Sequence, residues 1–196
     1  MNPFVVGNWK MNLGLEEAFT LVLDLRDGLE GVNGVEVGIC PPFVWLPGAC
    51  SILKGTKIIV GAQNMHWEKK GAFTGEVSGP MLKDVGCTHV LLGHSERRHL
   101  FGETDSMINK KLKTALSLGL KVIFCLGERL EEREGGETFT VVERQLTAGL
   151  EGIGQEALPE LTIAYEPVWA IGTGKNATPE QAQEVHGHLR NLLENK

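Results

Sequence analysis

Residues 161–174, LTIAYEPVWAIGTG, join a short apolar run to a carboxylate and a loop. The apolar run predicts a buried strand. Glu166 would follow it directly, where a carboxylate is costly unless it is solvated or used. Pro167 stiffens the start of the loop, and Gly172 and Gly174 loosen its end, as in a lid that moves as one piece. The same spacing also fits an ordinary connection, so both interpretations stay open.

Five earlier segments resemble this apolar run. Most are near-continuous and rich in Val and Ile, which is typical of parallel strands covered on both faces. The six predicted strands are Phe4–Gly7, Val35–Ile39, Lys57–Gly61, Thr88–Leu92, Lys121–Leu126 and Leu161–Tyr165.

Amphipathic segments lie between the strands and predict helices from their apolar spacings of three and four. Thr178 and Pro179 indicate an N-cap and a first helical residue. The predicted helices are Leu15–Leu29, Phe43–Leu53, a short one near Ser78–Asp84, Thr104–Leu118, Glu137–Leu150 and one that begins at Pro179.

Strand and helix alternate along the whole chain, and strand starts recur at intervals of about 22 to 40 residues, the size of a βα unit. This pattern predicts an α/β fold, with residues 1–196 as one domain. Parallel strands with right-handed crossovers close either as an open doubly wound sheet or as a barrel. The alternation alone leaves both open.

Composition excludes several kinds of partner. The chain has 196 residues, a formal net charge of -6 and no basic stripe, so we expect no nucleic acid partner. We also expect no secretory leader and no membrane span. Cys40, Cys50, Cys87 and Cys125 form no CxxC pair and lack zinc-like spacing, which indicates reduced thiols, no metal site and a cytoplasmic location.

Two further reactive residues follow predicted strands. Lys10 comes after the first strand and His94 after the fourth, and reactive residues of a βα barrel gather at the carboxyl ends of strands. A solvated lysine and a structural histidine are the plain alternatives. A helix that begins just after His94 would keep its ring neutral. For Arg97 and Arg98 we favour structural ion pairs.

The segment Gly71–Gly79 forms a long predicted loop after the third strand. Such loops in compact domains are usually functional or exposed. Because Trp67 and Phe73 lie near its tip, we favour insertion into a partner over a mobile surface loop.

Seven segments together carry a family resemblance. In chain order they are GNWKMN (7–12), GAQN (61–64), GAFTGE (71–76), LLGHSERR (91–98), CLGE (125–128), VVERQL (141–146) and AYEPVWAIGTGK (164–175). Their order and spacing resemble the triosephosphate isomerase family over the whole chain. The resemblance implies a (β/α)8 barrel that interconverts dihydroxyacetone phosphate and glyceraldehyde 3-phosphate in glycolysis and gluconeogenesis, without cofactor or metal.

The resemblance also implies roles at matching positions. Glu166 would be the general base and His94 the neutral electrophile. Lys10 would offset charge on the intermediate and on the substrate phosphate, and Asn8 would help shape the oxyanion site. Glu96 would either support Lys10 or shuttle a proton within that network. The implied lid consists of Pro167, Val168, Trp169, Ala170, Ile171, Gly172, Thr173 and Gly174, with Gly172 donating an N–H to the phosphate.

Members of this family are commonly dimeric, and the loop after strand three inserts into the neighbour. In this sequence Phe73 and Thr74 occupy that loop, with Thr74 matching the tip residue. The resemblance therefore implies a homo-oligomer.

A full family member has about 250 residues, and residues 185–196 match its sixth helix. We therefore expect an incomplete barrel, (β/α)6 of a (β/α)8, without the last two βα units. Strands one and six would be open edges that pair with another copy. We expect impaired isomerase activity; the alternative is an inactive structural or assembly fragment of the same fold.

Overall fold

The computed structural model describes residues 3–171, 174 and 176–194. Six strands are present, each within a few residues of its predicted bounds. They are β1 (Phe4–Asn8), β2 (Glu36–Cys40), β3 (Ile59–Ala62), β4 (His89–Leu92), β5 (Lys121–Leu126) and β6 (Leu161–Tyr165).

The long helices also lie where their apolar spacing predicts them. The helices are α1 (Leu15–Gly28), α2 (Leu46–Ile52), α3 (Gly79–Asp84), α4 (Ser95–His99), α5 (Asp105–Ser117), α6 (Leu130–Glu134), α7 (Thr138–Gly149) and α8 (Pro179–Glu194). The predicted start of α8 is confirmed, because Thr178 Oγ1 accepts the Gln181 N–H at 3.2 Å.

The predicted and observed helices differ at short elements. The helix predicted over Phe43–Leu53 is instead a 3-10 turn, Phe43–Trp45, followed by α2, which begins one residue before Pro47. Pro47 has no N–H to donate and suits the first turn of a helix, so the α-helical ladder begins there. The helices α4 and α6 were not predicted, because five residues are too few to show a helical period.

The strands follow one another in chain order in one six-stranded sheet. The pairing is parallel, with Val6 beside Gly38 between β1 and β2, and Gly61 beside His89 between β3 and β4. This order confirms the predicted fold class, an incomplete (β/α)8 barrel of six parallel βα units. It places the carboxyl ends of neighbouring strands at one edge of the sheet.

Two compact units divide the chain: residues 3–91 with 114–122, and residues 92–113 with 123–194. The first contains β1, β2 and β3, and its core includes Val22, Leu46 and Val60. The second contains β6 and most of β5, and its largest fully buried side chain is Phe124. The single-domain assignment stays a prediction.

All four cysteines are free thiols in the structure. Burial raises the pKa of the Cys40 thiol to about 12, which keeps it protonated and inert at neutral pH. Within the described residues, no helix combines the length and the apolar character needed to cross a bilayer.

Candidate active site

The carboxyl end of β1 holds Lys10 in an uncommon backbone conformation, with φ at 52°. Asn8 Oδ1 accepts the Lys10 N–H at 3.0 Å. Gln63 Nε2 donates to the Lys10 carbonyl at 2.8 Å and to the Cys40 carbonyl at 2.7 Å. Left-handed backbone at a residue other than glycine costs about 1–3 kcal/mol and persists where neighbours fix it. Asn8 and Gln63 therefore fix the point from which the Lys10 side chain leaves the strand.

Gly93 brings the chain from β4 into α4. Its φ is 78°, and a Cβ atom there would lie 2.8 Å from the Cys125 carbonyl oxygen, so only glycine fits. The next residue, His94, is 3% exposed and caps α4. Its Nδ1 accepts the Glu96 N–H at 3.2 Å. Because Nδ1 accepts, the neutral ring carries its proton on Nε2.

Glu166 stands at the end of β6 and faces this ring. Its Oε1 lies 3.2 Å from His94 Nε2, and Ser95 Oγ donates to its Oε2 at 3.4 Å. Among the described residues, Nε2 has no hydrogen bond of good geometry, although the carboxylate is this close. The Nε2–H is therefore available to a substrate oxygen while the carboxylate stays beside it.

Glu96 is more exposed than Glu166, with 41% of its side chain accessible against 28%, and its Oε2 lies 3.6 Å from His94 Nδ1. The ion pairs predicted for the two arginines are present. Arg97 Nε lies 2.5 Å from Glu103, and Arg98 Nη1 lies 2.6 Å from Asp105. These pairs hold α4 behind the imidazole.

Residues 126–128, here called the platform, lie directly beside Glu166. The Glu166 N–H donates to the Leu126 carbonyl at 2.9 Å, and the Val168 N–H donates to the Glu128 carbonyl at 3.1 Å. A Cβ atom on Gly127 would lie 1.8 Å from the Glu166 carbonyl oxygen. The platform therefore sets the position of the strand end that carries the carboxylate.

Gln145 and Glu128 belong to this site, and the sequence interpretation gave neither a role. Gln145 is buried and binds both the N–H and the carbonyl of Gly127 through the two ends of its amide. Glu128 is fully buried and accepts from Tyr165 Oη at 3.0 Å and from Trp169 Nε1 at 2.9 Å. The signal that could have revealed them was their presence in the quoted segments CLGE and VVERQL.

The predicted lid is described only in part. Val168–Ala170 form a 3-10 turn after Pro167, Trp169 is 7% exposed, and Ile171 lies at the more exposed end. Gly174 has a φ of 77°. Gly172 and Thr173, and with them the predicted phosphate contact of Gly172, lie outside the described residues.

Tyr165 is the single tyrosine, and we expect its phenol to resist ionisation in the folded protein. Burial raises its pKa, and the charge of Glu128 and the hydrogen bond to it raise it further. An unfolded tyrosine ionises near pH 10. Stability from this site is therefore complete below about pH 10 and is lost as the pH rises through the native pKa.

Phenolate absorbance against pH measures the pKa of Tyr165 directly, because the chain has no other tyrosine. Glu128→Gln should move the midpoint to lower pH, since it removes the nearby charge. A native-state midpoint near 10, with circular dichroism still native, would contradict the prediction.

The loop 71–79 presents Phe73 and Thr74 at the surface. Phe73 is 42% exposed, and its ring lies 4.4 Å from that of His66, measured between centroids. Thr74 is exposed. The loop therefore offers an aromatic and a polar side chain outward, and its predicted contact with a partner stays a prediction.

Within the described residues, no cluster of His, Cys, Asp and Glu side chains could hold a metal ion. An imidazole and a carboxylate, both groups with acid–base chemistry, lie 3.2 Å apart at two strand ends of βα units. These features are those of a βα-barrel enzyme that moves protons.

Comparison with known proteins agrees with that class. The family model described as triosephosphate isomerase matches residues 3–196. A triosephosphate isomerase of Carboxydothermus hydrogenoformans is 58% identical over 191 residues, which cover 97% of this chain and 76% of that protein. Those of Alkaliphilus oremlandii and Aquifex aeolicus are each 50% identical, over 99% and 98% of this chain and 78% of either protein.

The chain belongs to the triosephosphate isomerase family. The resemblance inferred from the seven segments is thereby confirmed. Its relatives are named triosephosphate isomerases, and this enzyme is an intramolecular oxidoreductase, a type of isomerase that rearranges a single substrate.

Proposed function

We propose that this chain is an isomerase that interconverts dihydroxyacetone phosphate and glyceraldehyde 3-phosphate, with Glu166 as the base and His94 as the electrophile. The observation that carries the proposal is the pair itself. Glu166 Oε1 lies 3.2 Å from His94 Nε2, and the Glu96 N–H fixes the tautomer that has its proton on that nitrogen. A base and a hydrogen-bond donor on neighbouring atoms suit proton abstraction beside a carbonyl.

The reaction moves two protons without redox cofactors. Glu166 takes the proton from C1 of dihydroxyacetone phosphate while His94 donates a hydrogen bond to the C2 oxygen, where negative charge develops. The same carboxylate then returns a proton to C2, and the oxygen-bound proton passes from O1 to O2. A neutral imidazole suits this step. It stabilises the enediolate by donating a hydrogen bond, and the ring does not have to be protonated beforehand.

The other predicted site residues complete the proposal. Lys10 supplies positive charge for the enediolate and the phosphate, and its fixed backbone supports that role. Asn8 shapes the oxyanion site by fixing Lys10, and Glu96 supports Lys10. We assign the phosphate N–H to Gly172. Residues 167–174 close over the substrate as a lid, since an exposed enediolate can eliminate its phosphate.

We further propose that a polypeptide of these 196 residues turns over more slowly than its relatives. The matched stretches of 191 and 194 residues cover 76% and 78% of the Carboxydothermus and Alkaliphilus relatives. In βα barrels, loops after strands seven and eight build much of the phosphate site. A phosphodianion held by fewer donors contributes less remote binding energy to the chemical step. The alternative is a fragment that assembles but does not catalyse.

Self-association is part of the same proposal, with Phe73 and Thr74 in the contact. Exposure of both side chains supports it. Light scattering on the assayed samples measures the assembled mass, and a monodisperse monomer would contradict this part.

A coupled isomerase assay on wild type and Glu166→Asp tests the function. Shortening the side chain withdraws the carboxylate from His94 by about the length of one methylene, and we expect turnover to fall at least tenfold. Glu143→Asp is the matched control, because Glu143 is 53% exposed and lies on α7 away from the pair.

Equal background rates in wild type and Glu166→Asp would overturn the isomerase assignment and favour the assembly fragment. A specific loss in Glu166→Asp, with Glu143→Asp at the wild-type rate, supports it. The absolute wild-type rate, set against that of a full-length relative, measures the impairment.

A further inference from the structure

Gln145 lies inside α7 with 3% of its surface exposed, and the two ends of its amide bind the N–H and the carbonyl of one residue, Gly127. Its Oε1 accepts the Gly127 N–H at 2.9 Å, and its Nε2 donates to the Gly127 carbonyl at 3.1 Å. We infer that Gln145 is a positioning residue for Glu166, acting through Gly127. The inference rests on the proposed role of Glu166 as the base.

The platform transmits this constraint because Gly127 lies against Glu166 without a side chain between them. A Cβ atom on Gly127 would be 1.8 Å from the Glu166 carbonyl oxygen and 2.8 Å from its carbonyl carbon. Backbone hydrogen bonds flank the contact on both sides, from Glu166 N to Leu126 O and from Val168 N to Glu128 O. A shift of the Gly127 peptide therefore shifts Glu166 and the start of the lid.

The amide of Gln145 suits this task better than an apolar side chain of the same size. Gly127 leaves β5 with a buried N–H and a buried carbonyl, and each needs a partner. Gln145 supplies both partners in one rigid plane, as a neighbouring strand would. Without it the two groups are unsatisfied, and the platform can recover partners only by moving. A misplacement of about 1 Å can cost about a hundredfold in rate.

Asn109 provides a matched control for a purely structural effect. It lies on α5, is 8% exposed, and its Nδ2 donates to the Gly149 carbonyl at 2.8 Å and the Glu151 carbonyl at 2.9 Å. Asn109→Leu and Gln145→Leu each remove a buried amide that makes two bonds to backbone. Of these two residues, Gln145 binds the platform beside Glu166 and Asn109 does not.

The activity test compares Gln145→Leu, Gln145→Glu and Asn109→Leu in the 196-residue protein. We expect Gln145→Leu to lower kcat about tenfold to a hundredfold with KM within about threefold, since the base moves and the phosphate contacts do not. A protonated Glu at position 145 keeps the acceptor for the Gly127 N–H and a donor for the Gly127 carbonyl, so Gln145→Glu should lose less. Asn109→Leu should lower Tm as Gln145→Leu does and keep kcat near wild type.

A second readout needs no turnover and separates this inference from the proposed function. The 15N resonance of His94 Nε2, at fixed pH and assigned with His94→Gln, reports the carboxylate 3.2 Å away. We expect it to shift in Gln145→Leu, less in Gln145→Glu, and not in Asn109→Leu.

The outcomes are distinct. If wild type has no turnover beyond that of Glu166→Asp, the isomerase proposal fails, and the His94 resonance alone decides the positioning role. If Gln145→Leu lowers Tm but changes neither kcat nor the resonance, Gln145 is structural and the inference is overturned. If Gln145→Leu does not fold, kcat and the His94 resonance are measured on Gln145→Glu instead, and the same outcomes apply.

Discussion

Gly127→Ala should disable the site and unfold part of the domain, with a loss of about 3–5 kcal/mol in the free energy of unfolding. The added Cβ would meet the Glu166 carbonyl oxygen at 1.8 Å. Both sides of this contact are backbone, so no rotamer change relieves it. The two strand ends must separate by more than about 1 Å to restore van der Waals contact.

That separation breaks the hydrogen bond between Glu166 N and Leu126 O, now 2.9 Å long. The carboxylate then leaves its position beside His94, and we expect isomerase turnover to fall by at least a hundredfold. Urea unfolding and the coupled assay measure the two effects.

Gly187→Ala is the control for the same chemical change. Gly187 lies inside α8, and a Cβ atom there meets nothing within 4 Å. Alanine is the better helix former by about 1 kcal/mol, so this variant should be more stable than wild type. Similar destabilisation in both variants would show that the contact with Glu166 is not the cause.

The sequence predicted the regular elements well because each carries its own signal. Apolar runs defined β4 and β5, and spacings of three and four defined α5 and α7. Five-residue helices such as α4 carry no period. They form because of tertiary contacts, such as the bond from Arg98 Nη2 to the Cys125 carbonyl at 3.4 Å.

The residues of the candidate site also divide into those that the sequence could reveal and those that it could not. Glu166 follows an apolar run directly and His94 follows one after a single glycine, Gly93, so their positions at strand ends could be predicted. Gln145 is different, because a polar residue in an amphipathic helix is ordinarily on the solvent face. Its partner, Gly127, is 18 residues upstream, and no local pattern shows that the two meet. Glu128 is missed for the same reason, because its partners Tyr165 and Trp169 lie on another βα unit.

The helix that His94 caps is held by a buried ion pair between Lys111 and Glu103. We expect a large loss of unfolding free energy when this pair is broken. Lys111 Nζ lies 2.5 Å from Glu103 Oε1, with side chains 3% and 2% exposed. Arg97 Nε lies 2.5 Å from the same oxygen and belongs to α4, the helix that His94 caps. Burial raises the pKa of Glu103, but hydrogen bonds and charges from Lys111 and Arg97 outweigh it, and the pKa is lowered overall.

Lys111→Met should therefore cost about 3–5 kcal/mol of unfolding free energy at neutral pH, since it leaves a buried carboxylate with one partner fewer. The native pKa of Glu103 lies below its unfolded value. Its contribution is thus complete above the unfolded pKa, near 4.3, and is lost as the pH falls through the native pKa. The difference in unfolding free energy between Lys111→Met and wild type should become smaller in acid.

Denaturant unfolding at several pH values measures this gap. Lys113→Met, two residues further along α5 and exposed, should stay within about 0.5 kcal/mol of wild type. Glu103→Gln combined with Lys111→Met should recover most of the loss, because no unpaired charge is then buried. A pH-independent gap, or equal losses in the two lysine variants, would mean that packing rather than charge dominates at Lys111. Arg97 would then hold α4 behind His94 without needing the second cation.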